Sequence, residues 1–418
     1  FTQYCKNRLY YIDVKGMLSS LHGSAGAITA LQNSVAHYYQ RASSADYLGV
    51  DPTRRSLTGT GGYVKVGRKG NAKWNFSETF TWSSPGFDLN DMGYMKETDY
   101  LMNETEIMYR QTDIWKIFRY NAFTLSQKNM WNYGGTPFSN NASLRWQSMT
   151  MNRYEWDVKE TFAWNWLDSR LLRGGPDVRF GSYFLTSAKF NTDKAKRMMF
   201  MLKYEGDHNF EGNRFNTISP SLTFRLGNHV YLSGQLDYAW NTDEMQYVAT
   251  TSPLSSSSLA PYYYVMGHMD QKTYGLTLKL QVNVTPDISI QFYGAPFTSI
   301  AKYDDFKLAA DTKSHTFENR FQRIDPDQLT YADGVYTIGE GAGQMPFRNP
   351  DFRFNEFRSN LVARWEYLPG STLYFVWEHR MSNRDNWYSS GWGSNLDRMW
   401  GLPATNTFMI KMNYWFNL

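Results

Sequence analysis

The chain has 418 residues, of which 17% are aromatic: 30 Tyr, 27 Phe and 15 Trp. A mean hydropathy of −0.57, with no apolar run of about 18 residues, excludes a bundle of membrane-spanning helices. The net charge of +4 is spread along the chain and gives nucleic acid no patch to bind, and the single cysteine, Cys5, excludes an internal disulfide and a cysteine-based zinc site.

Alternating apolar and polar side chains mark a strand with one dry and one wet face. In chain order this pattern predicts strands at 5–16, 26–40, 55–68, 71–83, 99–112, 114–130, 140–152, 154–167 and 178–191. It continues at 195–206, 213–226, 228–249, 261–284, 287–302, 355–367, 371–383 and 404–418. The clearest stretch runs from Thr273 to Val284. There Tyr274, Leu276, Leu278, Leu280, Val282 and Val284 alternate with Thr273, Gly275, Thr277, Lys279, Gln281 and Asn283. Trp156 to Trp166, Met198 to Tyr204, Leu222 to Leu226, Leu361 to Tyr367 and Phe408 to Leu418 repeat it.

A soluble sandwich or propeller uses strands of about 5 to 6 residues. These run to roughly 10 to 15, and about 9 to 11 tilted residues cross a hydrocarbon layer. The expected fold is therefore all-β, a large antiparallel transmembrane β-barrel, with about 17 strands in this chain. Its expected address is the outer membrane of a Gram-negative bacterium, in contact with lipid bilayer and lipopolysaccharide.

Connections alternate between short and long. Short turns are expected at Arg68–Asn71, Asn152–Tyr154, Leu226–Asn228, Thr285–Asp287 and Leu368–Gly370. Long loops are expected at 40–55, 83–98, 130–140, 168–178, 206–213, 250–261, 303–354 and 383–404. In outer-membrane barrels short turns are periplasmic and long loops extracellular. The segment 303–354 is long enough to plug a lumen. An odd count makes the first and last strands run the same way, and an antiparallel barrel closes on an even number, roughly 16 to 22 here. At least one further strand is thus expected upstream of Phe1. The inward charges Lys203, Glu205, Arg225, Lys279, Arg364, Glu366 and Lys411 are expected to line the lumen. Tyr414, Phe416 and Leu418 form the C-terminal barrel signature.

Several motifs carry a family resemblance. Ser84-Pro85-Gly86-Phe87-Asp88-Leu89-Asn90-Asp91-Met92-Gly93-Tyr94 is the strongest. Arg173-Gly174-Gly175-Pro176, Gln246-Tyr247-Val248 and Gln291 to Phe297, which includes Pro296 and Phe297, follow in order. Together they resemble an uncharacterised family of Bacteroidota outer-membrane barrels that carry an N-terminal carbohydrate-binding module of the family-nine type. The resemblance implies a longer protein of which this chain is the C-terminal barrel, and partners among other outer-membrane proteins or surface lipoproteins. It supplies no catalytic residue. Met92 and Tyr94 depart mildly from its pattern. Pro85 and Gly86 suit a turn, Asn90 and Asp91 can bond their own backbone, and Arg173 can reach a carboxylate or phosphate.

No catalytic centre, metal site or cofactor is legible. Seven histidines occur (His22, His37, His208, His229, His268, His315 and His379) without metal-ligand spacing. His268 and Asp270 share a strand face as a weak pair. His379 falls on the outward face beside Trp377, the place for hydrolysis on a barrel wall, but no serine motif marks a partner. Gly59, Gly61 and Gly62 read as a kink in a strand. Tyr262 to Tyr264 and Trp387-Tyr388 read as interfacial anchors. The function expected is a channel or a membrane anchor for a surface or periplasmic module. A carbohydrate- or lipid-active enzyme, with its chemistry outside the segment or on the barrel wall, is the alternative.

Overall fold

The computed structural model describes residues 1–5, 8–41, 47–70, 72–90, 93–227, 229–254, 262–385 and 392–416. Its strands begin with β1 (Thr2–Cys5), β2 (Tyr10–His22), β3 (Ser56–Arg68), β4 (Trp74–Ser83), β5 (Tyr100–Gln111) and β6 (Phe118–Trp131). Next come β7 (Pro137–Thr150), β8 (Glu155–Trp164), the short pair β9 (Trp166–Asp168) and β10 (Val178–Phe180), and β11 (Tyr183–Asn191). Then follow β12 (Met198–Asn209), β13 (Arg214–Leu226), β14 (Val230–Thr251), β15 (Tyr263–Asn283) and β16 (Ile288–Ala309). The loop after β16 carries β17 (Phe321–Arg323), β18 (Leu329–Ala332), β19 (Val335–Ile338) and β20 (Met345–Arg348). The chain closes with β21 (Phe352–Leu368), β22 (Ser371–Asp385) and β23 (Thr405–Asn413). Among the described residues the α-helices are α1 (Ala25–Gln32) and α2 (Trp392–Trp400).

Eighteen strands share one sheet. Setting aside β17, which pairs only with the end of β16, seventeen follow one another in chain order, each antiparallel to the next. This is the large antiparallel barrel-type sheet that the alternation predicts. Among the described residues β1 and β23 are its two unpaired edges, so the sheet is open, and sixteen antiparallel steps leave the edge strands running the same way.

The two faces separate by register. One row of directly opposed residues is Phe224, Leu232, Leu280, Phe292, Leu361, Trp377 and Phe408; a second is Leu226, Val230, Val282, Ile290, Ala363, Phe375 and Ile410. Every member of both rows is apolar. The row on the opposite face is Thr223, Ser233, Lys279, Tyr293, Asn360, Glu378 and Thr407. Because strand side chains alternate by twos, these rows define an apolar and a polar face. The apolar face is bare: Leu232, Leu278, Trp365 and Phe408 are 43%, 39%, 49% and 64% exposed.

Two expectations fail near the start. The segment 26–40 is not a strand. Ser24 caps a helix by accepting from the Ala27 amide at 3.2 Å, and Ile28 and Leu31 then fall on one helical side, with Ile28 packed against Tyr39 and Leu57. The segment 5–16 is a hairpin of β1 and β2, with Thr2 opposite Asp13. The total of seventeen survives because the two strands misplaced at 5–16 and 26–40 are replaced by β1 and β2. Further along, β16 extends to Ala309, so the long loop spans 310–351 rather than 303–354.

The long loops gather over the polar face at one end of the sheet, except that α2 lies on the other face, with Trp400 4.8 Å from Phe357. Phe306, Ile338 and Phe347 pack with Val265, Met269, Ala301 and Tyr303 in one apolar cluster, which docks the small β18–β19–β20 sheet. Leu172, Val178, Met245, Met266 and Phe321 form a second. The loops also hold one another. Thr312 donates to the Asp177 carbonyl at 2.7 Å, and Arg320 reaches the Arg179 carbonyl at 2.8 Å and Glu211 at 2.8 Å.

Candidate functional site: the loop layer and its cavity

The loop motif Ser84 to Phe87 is fitted to the glycines of β3. A side chain on Gly59 would lie 2.1 Å from the Phe87 backbone nitrogen, and one on Gly61 would lie 2.6 Å from the Phe87 ring. Those glycines are therefore a landing strip for a loop, rather than only a kink. Gly86 in turn lies against the Thr58 carbonyl. The Thr60 amide donates to Ser84 Oγ at 2.7 Å, the Phe87 amide closes the turn on the Ser84 carbonyl at 3.0 Å, and Thr98 Oγ1 donates to the Pro85 carbonyl at 3.2 Å. Asp88, not Asn90, makes the local side-chain turn, accepting from the Asn90 amide at 2.8 Å; Asn90 accepts from the Met95 amide at 3.1 Å. Asp91 lies outside the described residues, and Gly93 has open space where a side chain would be.

With that loop in place, ionisable groups come together in pairs. His37 Nε2 lies 3.8 Å from Asp88. Arg41 is hydrogen-bonded to Asp99, which also accepts from Tyr47 Oη at 2.6 Å and from the Tyr133 amide at 3.1 Å. Arg170 is paired with Glu97. Burial holds the His37 imidazole below its ordinary value, against the pull of Asp88. Burial pushes the Asp99 carboxyl up, and its hydrogen bonds and Arg41 oppose that shift. Burial also raises Tyr39, to about 12. Each is a desolvation effect, the signature of groups removed from water.

His37, Arg41, Asp99, Arg170 and Glu97 line a cavity of about 360 Å³ between the loops and the ends of β6, β7 and β11. Its wall carries Arg41, Lys96, Lys128 and Arg170 against Glu97, Asp99, Asp168 and Asp177. Four cationic and four anionic side chains leave no net sign, so the cavity is not built for a bare anion or cation. It suits a neutral or zwitterionic polar molecule, or a packed partner loop.

The second motif joins the same layer. Arg173, at φ 51°, and Gly174, at φ 104°, turn the chain, and Gln40 packs against Gly174. Among the described residues Arg173 reaches no carboxylate. Its guanidinium lies 4.5 Å from the centre of the Tyr247 ring, so two separate motifs meet in one cation–π contact. Tyr264 packs against Gly175, and Pro176 precedes the buried Asp177. Gln246 sits opposite Gly267, beside a bulge in the β14–β15 ladder. Pro296 and Phe297 are elsewhere, in the middle of β16, opposite Phe357 and Glu356.

Lys203, Glu205, Arg225, Lys279, Arg364, Glu366 and Lys411 all fall on the polar face by register. Lys203 pairs with Glu205 at 2.7 Å and Arg364 with Glu366 at 2.5 Å. Tyr414 and Phe416 stack edge to face at 4.7 Å beyond β23, which ends at Asn413; Leu418 lies outside the described residues, as do Trp387 and Tyr388. His268 finds Glu244 at 3.0 Å as its nearer partner and Asp270 at 3.6 Å. Glu244 was hidden from sequence because it lies on the neighbouring strand. Among the described residues no three His, Cys, Asp or Glu side chains gather as a metal site, and no helix is long and apolar enough to cross a membrane.

The molecule is thus a barrel-type antiparallel sheet with one bare apolar face, roofed at one end by interlocked loops. It belongs to the family described as a domain of unknown function, DUF5916, whose family model matches residues 23–418. The crystal structure of the siderophore receptor PirA from Acinetobacter baumannii is similar over 98% of this chain and 69% of that one, at 9% identity and a TM-score of 0.39. No curated protein matches the chain.

Proposed function

We propose that this chain is the wall of an outer-membrane β-barrel, serving as a channel or as the anchor of a surface or periplasmic module. The observation that carries the reading is the pair of wholly apolar register rows crossing seven adjacent strands, with a charged and polar row behind them. Water would penalise such a bare face, whereas hydrocarbon solvates it. The polar face then lines the interior, and the loop layer closes over one end. Lipopolysaccharide and neighbouring outer-membrane proteins or lipoproteins are the proposed partners. The carbohydrate-binding module implied by the sequence resemblance is the first candidate for the anchored cargo.

Nitroxide labels test the wall directly, in vesicles and with Cys5 changed to Ser. Labels at Phe375 and Leu280 are expected to collide with oxygen but not with a water-soluble nickel chelate; labels at Lys279 and Glu378 should do the reverse. Equal access to the chelate on both faces overturns the membrane reading. Planar-bilayer conductance then separates the roles, because the loop layer over the interior leaves little or no steady current if the chain is an anchor.

A further inference from the structure

The third row on the apolar face breaks the pattern. It reads Leu222, Gly234, Leu278, Gly294, Ser359, His379 and Asn406. It lies two residues, about 7 Å, beyond the all-apolar row that contains Leu361, Trp377 and Phe408. Three polar side chains are therefore adjacent on this face, one from each of β21, β22 and β23, bordered by Leu361 and Trp377 on one side and by Phe357 and Met381 on the other, beyond which Asn355 and Asn383 are polar again.

Their hydrogen bonds fix their chemistry. The Trp377 indole can only donate, and its Nε1 lies 3.0 Å from Asn406 Oδ1, so that atom is the amide oxygen. His379 Nδ1 lies 2.9 Å from the same oxygen and must therefore donate to it. The imidazole is thereby held as the Nδ1–H tautomer, with the Nε2 lone pair left to accept. Ser359 is the direct cross-strand partner of His379, and opposed residues place their Cβ atoms about 4.5–5.5 Å apart. The relay requires the serine rotamer that turns Oγ toward Nε2. On the other side of Ser359 stands Gly294, which adds no side chain to the row.

We infer that Ser359, His379 and Asn406 form a serine-hydrolase relay on the barrel wall, acting on acyl esters of membrane lipids. The inference rests on the reading of this face as lipid-facing. Ser359 Oγ attacks the ester carbonyl carbon while His379 Nε2 takes its proton. The bond to the alcohol breaks, and Nε2 returns the proton to the departing oxygen. Water then repeats the sequence on the acyl-serine, releasing a fatty acid and restoring the hydroxyl. Asn406 is the positioning residue, since it acts through the tautomer of His379. Phe357, Leu361 and Trp377 flank the serine with apolar surface suited to acyl chains. Above them, α2 packs against β16, β21 and β22, with Trp400 4.8 Å from Phe357 and Phe357 5.9 Å from His379. The trio thus lies under a ledge at the loop end of the wall.

The test uses the full chain in phosphatidylethanolamine vesicles, with folding checked by heat-modifiable migration. Hexadecylsulfonyl fluoride should add its mass to the peptide holding Ser359. Hydrolysis of p-nitrophenyl palmitate should fall at least about 100-fold in Ser359→Ala and in His379→Gln, and stay unchanged in Ser382→Ala on the polar face. Asn406→Ala should lower kcat at constant KM, and Asn406→Asp, which keeps the acceptor, should restore most of it. An unlabelled Ser359 in folded wild-type protein, or full hydrolysis by Ser359→Ala, overturns the inference. The nitroxide experiment keeps the two failures apart. Lipid-exposed Phe375 with no labelling sinks the relay alone. Labelling by the water-soluble p-nitrophenyl butyrate, with a chelate-accessible Phe375, keeps the relay and sinks the membrane setting.

Discussion

The sheet wall and the loop layer are held together in opposite ways. In the wall, strands are tied by backbone ladders, and outward side chains touch little protein: a side chain at Gly234 would meet only Leu278 Cδ2, at an ordinary 3.5 Å. In the loop layer the side chains are the ties. Phe87 sits on two glycines, and Arg41 and Asp99 are bound to each other with their side chains 9% and 0% exposed. The wall should therefore forgive substitutions that the layer cannot.

The sharpest way to break this contrast is Arg41→Ala. It strands the Asp99 carboxylate in a buried site where Tyr47 and the Tyr133 amide are its remaining partners among the described residues. Losing one member of a buried pair costs about 3–5 kcal/mol. Hydrogen exchange of amides 36–41 and 97–99 is expected to accelerate accordingly, while that of β12–β14 stays as it was. Leu222→Ala on the wall should change exchange little, because that side chain is exposed and gives up few protein contacts. Equal effects of the two would erase the distinction. A milder version compares two glycines. Gly59→Ala drives a methyl to within 2.1 Å of the Phe87 backbone and should loosen the 84–99 loop by about 1–3 kcal/mol. Gly234→Ala should be neutral by the same exchange measurement.

The same division explains what could be read from sequence. Wall strands such as β13, β15 and β21 were legible because every second residue reports its face, and a row of leucines and aromatics needs no knowledge of its partner strand. The loop layer was not, because its ties join residues such as Arg41 and Asp99, Arg173 and Tyr247, or Thr312 and Asp177, whose separation in the chain carries no period. Residues 26–40 read as a strand because an eight-residue helix shows barely two turns, and Ser24 signals a cap only with the helix behind it. The wall trio shows the intermediate case. Alternation puts His379 on the same face as Trp377, but Ser359 and Asn406 need the register of β21 and β23 to become its neighbours.

The smallest expected effect is also the most specific to the layer. His37 is 1% exposed and its imidazole is held below the usual histidine value, chiefly by burial. Once the loop opens, the ring regains a value near 6.5. Between that value and the lower one of the closed loop, the open form binds a proton that the closed form refuses. The closed form therefore loses stability as pH falls through about 6.5, by at most about 1.4 kcal/mol per pH unit. Asp99 works in the opposite sense, because its raised carboxyl makes the closed layer bind the proton more readily as the solution turns acid. Comparison with His37→Gln isolates the histidine, since the variant keeps the Asp99 contribution and loses the other. Exchange of amides 34–41 in the native chain should speed up between pH 7 and 5.5 relative to the variant, with wall amides showing no such difference. Identical pH profiles would mean that the imidazole is solvated in the closed layer, and that the layer is held more loosely than its buried pairs require.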